Sequence, residues 1–207
     1  MVTISRNLKR LIYLISPNKI YSNFYIDLNK VLASKKVSFF QLRLKKNTSN
    51  EIIEIAKKIR TITKKHNVKL IINDSSVIAN KVNADGCHLG QADDSIELAR
   101  KNIKKKIIGI TCHGSKKIAL AAYKNKCDYV AFGSFFNSKL KSKAKKANLK
   151  ILPWAKKNIK KPIVAIGGIT DKNYKKIINY GVNYIAISTF IWNNPFLKPE
   201  TAIKKFK

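Results

Sequence analysis

The chain carries 43 Lys+Arg against 11 Asp+Glu, so the placement of its few carboxylates is informative. Asp74 in LIINDSS and Asp93 in HLGQADD each follow a short apolar run, residues 69–73 and 86–90, where a buried strand would surface into a loop. Two hard oxygen ligands at neighbouring strand ends suit one Mg²⁺, which takes one or two carboxylates and leaves its other positions to water and substrate phosphates. Asp also serves turns and helix caps, and spacing alone leaves both readings open.

Other strand ends carry anion-binding groups. Gln41, Arg43 and Lys45 close the segment FFQLRLK, and an Arg expected inside such a strand needs an anionic partner or a wet cavity. Asn73 precedes Asp74, and Gln91 lies just before Asp93. Further on stand Thr111 with His113, Gly133 with the loop from Asn137 to Lys143, Gly167-Gly168 with Thr170, and Ser188-Thr189. Glycine lets backbone approach an oxyanion closely, so GGIT and IST fit a phosphate held on N–H groups and hydroxyls. GG also serves as a plain strand-to-helix turn. No Ser-His-Asp or Cys-His-Asn arrangement stands out.

The elements that must position these residues follow from hydrophobic periodicity. Eight β-branched or apolar runs recur, at Leu11–Ser16, Ser38–Leu44, Val68–Asn73, Gly86–Leu89, Lys106–Thr111, Tyr129–Phe136, Ile163–Gly167 and Tyr184–Ile191. Amphipathic stretches separate most of them, such as Ile52, Ile55, Ala56, Ile59 and Ile62 at helical spacing. Alternation of this kind implies parallel pairing, and eight strands close a barrel. The expected class is α/β, a (β/α)8 TIM barrel, with one domain over residues 1–207. An open doubly wound sheet is the alternative, but SPNK after the first run lacks the glycine-rich dinucleotide fingerprint.

Composition narrows the partners. The formal charge is +32, yet only five basic residues are Arg and the lysines spread along the chain in KK pairs, which reads as solvated helix faces. Such a surface attracts polyanions at low salt and draws in phosphorylated substrates; it does not indicate specific nucleic-acid recognition. A non-catalytic basic barrel binding nucleic acid is the rival from another class. No run of about 18 apolar residues occurs, so no membrane association is expected, and Leu11 to Ser16 is too short for a signal-peptide core. Cys87, Cys112 and Cys127 are odd in number without CxxC spacing, which points to a reducing cytoplasm. Cys87-His88 and Cys112-His113 do not suggest zinc, because adjacent strand residues face opposite sides. These read as buried thiols and core or capping histidines, and His66 as structural. A homo-oligomer is compatible with the sequence.

QLRLK, IIND, ADGCHLGQAD, GITCH, FGSFF with its lysine-rich loop, IGGIT and IAIST occur in an order and spacing that resembles the thiamine-phosphate synthase family over nearly the whole chain. The resemblance implies a (β/α)8 barrel that joins a pyrimidine methyl diphosphate to a thiazole phosphate and releases pyrophosphate with Mg²⁺. It implies that Gln41, Arg43, Lys45 and Asn73 hold the pyrimidine substrate, that Thr111 supplies a hydroxyl to it where the family usually has Ser, and that Lys141 reaches its diphosphate. Asp74 and Asp93 would bind the metal, and Gly168, Ser188 and Thr189 the thiazole phosphate. The implied chemistry is dissociative, with cations stabilising the departing pyrophosphate and no general base. Leu44 stands where Glu is usual and Ser75 where Arg is common. In the loop after the sixth strand a proline and two threonines are replaced by Asn137, Ser138 and Leu140; Ser138 keeps a donor and Leu140 does not. A thiazole tautomerase-like isomerase is the nearest enzymatic alternative, but it has no use for a diphosphate-bound metal.

Overall fold

A computed structural model describes residues 10–137 and 146–207 of the chain. Strands β1 (Ile12–Ile15), β2 (Val37–Leu42), β3 (Lys69–Asn73), β4 (Gly86–Leu89), β5 (Ile107–His113), β6 (Tyr129–Phe132), β7 (Ile163–Ile166) and β8 (Tyr184–Ile187) pair in sequence order. All the pairings are parallel, and β1 also pairs with β8, from Ile12↔Ile185 to Leu14↔Ile187, which closes the barrel. Closure rules out the open doubly wound sheet. Between the strands lie α1 (Phe24–Ala33), α2 (Ser49–Lys65), α3 (Ser76–Lys81), α4 (Ile96–Ile103), α5 (Lys116–Lys124), α6 (Ile151–Asn158) and α7 (Tyr174–Ile178); α8 (Thr189–Trp192) and α9 (Pro199–Ala202) follow β8.

Alternation along each strand divides the apolar residues into two cores. Ile12, Leu14, Phe40, Leu42, Leu70, Ile72, Cys87, Leu89, Ile108 and Ile110 face outward and pack beneath the helices. Tyr13, Ile15, Ile71, Tyr129, Ala131, Val164 and Ala186 fill the barrel interior, with Phe39, Ile107, Ile166 and Tyr184 against them. Phe39 stacks on Tyr13 at 5.3 Å between ring centroids and meets Tyr184 edge-on at 5.0 Å. The interior is therefore a packed plug, and the site must sit above it.

Serines set the loops at the barrel mouth. Ser75, Ser95 and Ser115 cap α3, α4 and α5 by accepting from the N–H of Ile78, Leu98 and Ile118, at 3.1, 3.1 and 3.3 Å. Each such cap stabilises its helix start by about 1 kcal/mol. Thr48 and Glu51 form a reciprocal capping box at the start of α2. These caps fix where the chain leaves β2, β3, β4 and β5.

Three strands end two to four residues before their apolar runs do. β6 stops at Phe132 although the run continues to Phe136, and β8 stops at Ile187, after which Thr189 to Trp192 turn into α8. Phe135 and Ile191 are buried in the outer core from non-strand backbone, so the apolar signal reported burial and not extension. β2 ends at Leu42, which places Arg43 and Leu44 just beyond it.

Candidate functional site

Gln41 and Asn73 occupy inward positions at the mouth-side ends of β2 and β3, two residues after Phe39 and Ile71 of the interior core. Gln41 is buried, and its Nε2 donates to the Tyr13 hydroxyl at 2.9 Å. Arg43 is not inside a strand as expected. Its backbone N–H donates to Ser16 Oγ at 2.9 Å, while among the described residues its guanidinium reaches only Asn18 Oδ1, at 3.5 Å. That contact is long for a hydrogen bond. The guanidiniums of Arg10, Arg60 and Arg100 are instead committed to backbone carbonyls elsewhere in the fold. Leu44 is 5% exposed and belongs to the outer core, so its side chain faces away from the mouth and its departure from Glu costs the site no direct contact.

Asp74 follows β3 with φ +66°, a left-handed backbone that Asp tolerates better than most residues. Its N–H donates to the His88 carbonyl at 2.8 Å, which ties the exit of β3 to β4. Its carboxylate forms an ion pair with Lys45. The helix cap is Ser75 and not Asp74, which removes the capping explanation for this acid and gives Ser75 a structural task. Asp93 does take part in a turn: its Oδ2 accepts from the Gly90 N–H at 2.6 Å. Neighbouring Asp94, which sequence reasoning passed over, accepts from Ser76 Oγ at 2.6 Å, and Asn102 donates to the same Ser76 oxygen at 2.8 Å. This chain anchors the loop that carries Asp93 to α3 and α4.

Thr111 faces inward on β5, and its Oγ1 lies 2.7 Å from His88 Nε2. His88 Nδ1 lies 2.8 Å from the Tyr129 hydroxyl, and that hydroxyl meets Tyr13 Oη at 2.7 Å. His88 is thus an interior histidine, as expected, but one joined to a site residue. Tyr13, His88 and Tyr129 were missed as site neighbours. Their signal was a polar or hydroxyl-bearing residue at the inward position of an otherwise apolar strand.

Across the mouth, Gly167 and Gly168 have φ of +109° and +62°. A Cβ on Gly167 would lie 2.0 Å from Ser134 Oγ, and one on Gly168 would lie 2.3 Å from the Asn137 carbonyl oxygen. Both glycines are required by the turn packed against the loop after β6. Asn173 Nδ2 donates to the Gly168 carbonyl at 2.9 Å and holds that turn. Ser188 Oγ donates to the Ser16 carbonyl at 3.0 Å, and Trp192 Nε1 donates to the Ile15 carbonyl at 2.7 Å. These bonds fix Ser188 and Thr189 at the start of α8, next to β1. Ser138, Leu140 and Lys141 lie outside the described residues.

Zinc finds no support in the Cys-His pairs. Cys87 and Cys112 are buried in the outer core, where burial pushes both thiols up to about 12, while His88 faces the interior and His113 is exposed. His66 closes α2 with Nε2 2.8 Å from Asn29 Oδ1, a structural part as expected. Among the described residues no three His, Cys, Asp or Glu groups gather around one point. Asp74 and Asp93 at adjacent strand exits fit an ion that draws most of its ligands from water and phosphate, and Asp74 already holds a cation in the Lys45 ammonium.

The family model described as thiamine monophosphate synthase matches residues 12–191. A thiamine-phosphate synthase of Pelagibacter ubique is 53% identical over 200 residues, covering 96% of this chain and 97% of the relative. That of Erythrobacter litoralis is 37% identical and covers 88% of each chain. Among solved structures, thiamine phosphate pyrophosphorylase from Pyrococcus furiosus superposes with a TM-score of 0.85 at 28% identity, covering 96% of this chain and 94% of that one. With the closed barrel and its mouth residues in place, these matches settle the family: the chain belongs to the thiamine monophosphate synthases.

Proposed function

We infer that this chain makes thiamine phosphate, condensing 4-amino-2-methyl-5-(diphosphooxymethyl)pyrimidine with a thiazole phosphate and releasing pyrophosphate. The observation that carries this reading is the match to the family over residues 12–191 in a chain 53% identical to a thiamine-phosphate synthase. The protein acts as a single barrel domain in the cytoplasm, in keeping with three free cysteines. No helix among the described residues is long and apolar enough to cross a membrane.

The residues divide the work by position. Gln41, Asn73 and Thr111 hold the pyrimidine at the inward ends of β2, β3 and β5. Arg43 and Lys45, with Lys141 from the loop after β6, clamp the diphosphate; Ser138 of that loop donates to substrate. Arg43 is suited to this because its guanidinium has no strong partner among the described residues and presents a planar fork to paired phosphate oxygens. Asp74, now paired with the Lys45 ammonium, would exchange it for the metal, and Lys45 would then serve the diphosphate. Asp74 and Asp93 would hold Mg²⁺, which supplies charge stabilisation to the departing pyrophosphate. Gly168, Ser188 and Thr189 receive the thiazole phosphate at the short helix after β8, where barrels commonly bind phosphate. The tyrosine-filled interior below closes the site from water beneath. Fixed cations aimed at the leaving group are the main catalytic device, so no proton-transfer pair is needed.

The test is product identity. Purified protein given both substrates and Mg²⁺ yields thiamine phosphate, detected as its fluorescent oxidation product, and none when either substrate is omitted. Product formed without the thiazole phosphate, or no product from folded protein, refutes the reading.

A further inference from the structure

Five polar side chains cross the floor of the site from β2 to β5 in one hydrogen-bonded line. Gln41 Nε2 reaches Tyr13 Oη at 2.9 Å, Tyr13 meets Tyr129 at 2.7 Å, Tyr129 meets His88 Nδ1 at 2.8 Å, and His88 Nε2 meets Thr111 Oγ1 at 2.7 Å. Tyr13 and Tyr129 are 2% and 3% exposed, and burial pushes both hydroxyls well above the ordinary range, so both keep their protons. Room for the line is built into the backbone: a Cβ on Gly109 would lie 1.8 Å from Tyr129 Cζ.

A hydroxyl has one proton to give, and a neutral imidazole has one donor and one acceptor nitrogen. With Gln41 donating at one end, every later bond is determined. Tyr13 gives to Tyr129, Tyr129 gives to His88 Nδ1, and His88 gives from Nε2 to Thr111. The Thr111 hydroxyl is then left to donate into the site, and Gln41 keeps its amide oxygen as an acceptor. Turning the amide over reverses every bond and exchanges the two ends. In either order one end gives and the other receives, and the imidazole tautomer records which.

A 4-aminopyrimidine offers an N–H donor on its amino group and an acceptor at its ring nitrogen. Its 4-oxo counterpart offers a carbonyl acceptor beside a ring N–H donor. We propose that His88, through Tyr129 and Tyr13, is a positioning residue that sets the hydrogen-bond polarity of Thr111 and Gln41 together, and thereby selects an amino- over an oxo-pyrimidine. The inference rests on the pyrimidine-binding role given to those two residues above.

Two measurements test it without requiring turnover. In ¹⁵N-labelled protein at neutral pH, the imidazole shifts of His88, assigned by their loss in His88→Gln, are expected to show one tautomer with Nε2 protonated and Nδ1 bare. Equal population of both tautomers, or protons on both nitrogens, overturns the proposal. The second measurement is the ratio of dissociation constants for the 4-amino and 4-oxo pyrimidinylmethyl monophosphates, which carry no diphosphate to leave. Tyr129→Phe and Tyr13→Phe keep the rings that fill the barrel but cut the line, and each is expected to lower the preference for the amino compound at least five-fold. A merely structural role weakens both ligands equally and leaves the ratio unchanged, which overturns the proposal, as does a parent that binds neither. A parent that prefers the amino monophosphate yet releases no pyrophosphate from the diphosphate refutes the assigned reaction and supports the relay.

Discussion

The Lys45 ammonium rests on the Asp74 carboxylate, joining the exits of β2 and β3 at the mouth of the barrel. Lys45 is 51% exposed and Asp74 30% exposed at the side chain, and pairs of this kind add about 0–1 kcal/mol to folding. Asp74→Asn is therefore expected to shift unfolding free energy by no more than about 1 kcal/mol while turnover falls on the order of 10²-fold, the scale of a few kcal/mol of lost charge stabilisation. Urea unfolding and product formation measured on the same preparation check this. Loss of folding in proportion to activity would make the pair a structural clasp.

Arg43 and Arg100 form a contrast. Arg100 donates to the carbonyls of Lys104 and Lys106 and pairs with Asp128 at 2.8 Å, whereas among the described residues the Arg43 guanidinium has one long contact. Arg43→Ala is expected to leave stability within about 0.5 kcal/mol and to lower kcat/KM for the pyrimidine diphosphate by on the order of 10²-fold. Arg100→Ala is expected to cost roughly 2 kcal/mol of stability, as loss of charged hydrogen bonds does, with kcat/KM per folded molecule unchanged. Denaturation curves and steady-state kinetics on the pair separate the two roles.

Gly168→Ala places a methyl 2.3 Å from the Asn137 carbonyl oxygen at a φ of +62°. The expected cost is about 1–3 kcal/mol of stability, with KM for the thiazole phosphate raised more than KM for the pyrimidine diphosphate. Kinetics with each substrate varied in turn gives the answer. An equal rise in both would detach this turn from the thiazole site.

The eightfold alternation of strand and helix was readable directly, because nearly every strand is a short apolar run between polar helices. Asp74, Arg43 and Gly168 stood out by rarity or by glycine at a strand end, and all three lie at the barrel mouth. What stayed hidden is the line from Gln41 to Thr111, whose five members come from five strands and meet only when the barrel closes. Local patterning carries no record of such a meeting. The lengths of β6 and β8 were overread for a related reason: Phe135 and Ile191 are apolar because they are buried, and burial does not require extended backbone.

Alkaline pH tests the cysteine assignments. Burial pushes Cys87 and Cys112 up to about 12 and Cys127 up to about 11, from an ordinary 9.0. Below pH 9 the thiols are protonated in both folded and unfolded chains, and the stability that burial confers is whole. Between pH 9 and the folded values only the unfolded chain releases protons, so stability falls as pH rises, by up to about 1.4 kcal/mol per pH unit for each thiol. The urea midpoint is expected to drop between pH 9 and 11, with a shallower drop in Cys112→Ala. A native thiol that reacts freely with a disulfide reagent at pH 8 would contradict the burial.

The most direct measurement is the rate of pyrophosphate release from the pyrimidine diphosphate in the presence of the thiazole phosphate, with Mg²⁺ and then with EDTA, for the parent and for Asp93→Asn. The expected result is release matched one-for-one by thiamine phosphate in the parent with Mg²⁺, abolished by EDTA, and lowered on the order of 10²-fold in Asp93→Asn. Release that is the same in EDTA, or an Asp93→Asn protein as fast as the parent, would contradict a metal held by Asp74 and Asp93 at the mouth of this barrel.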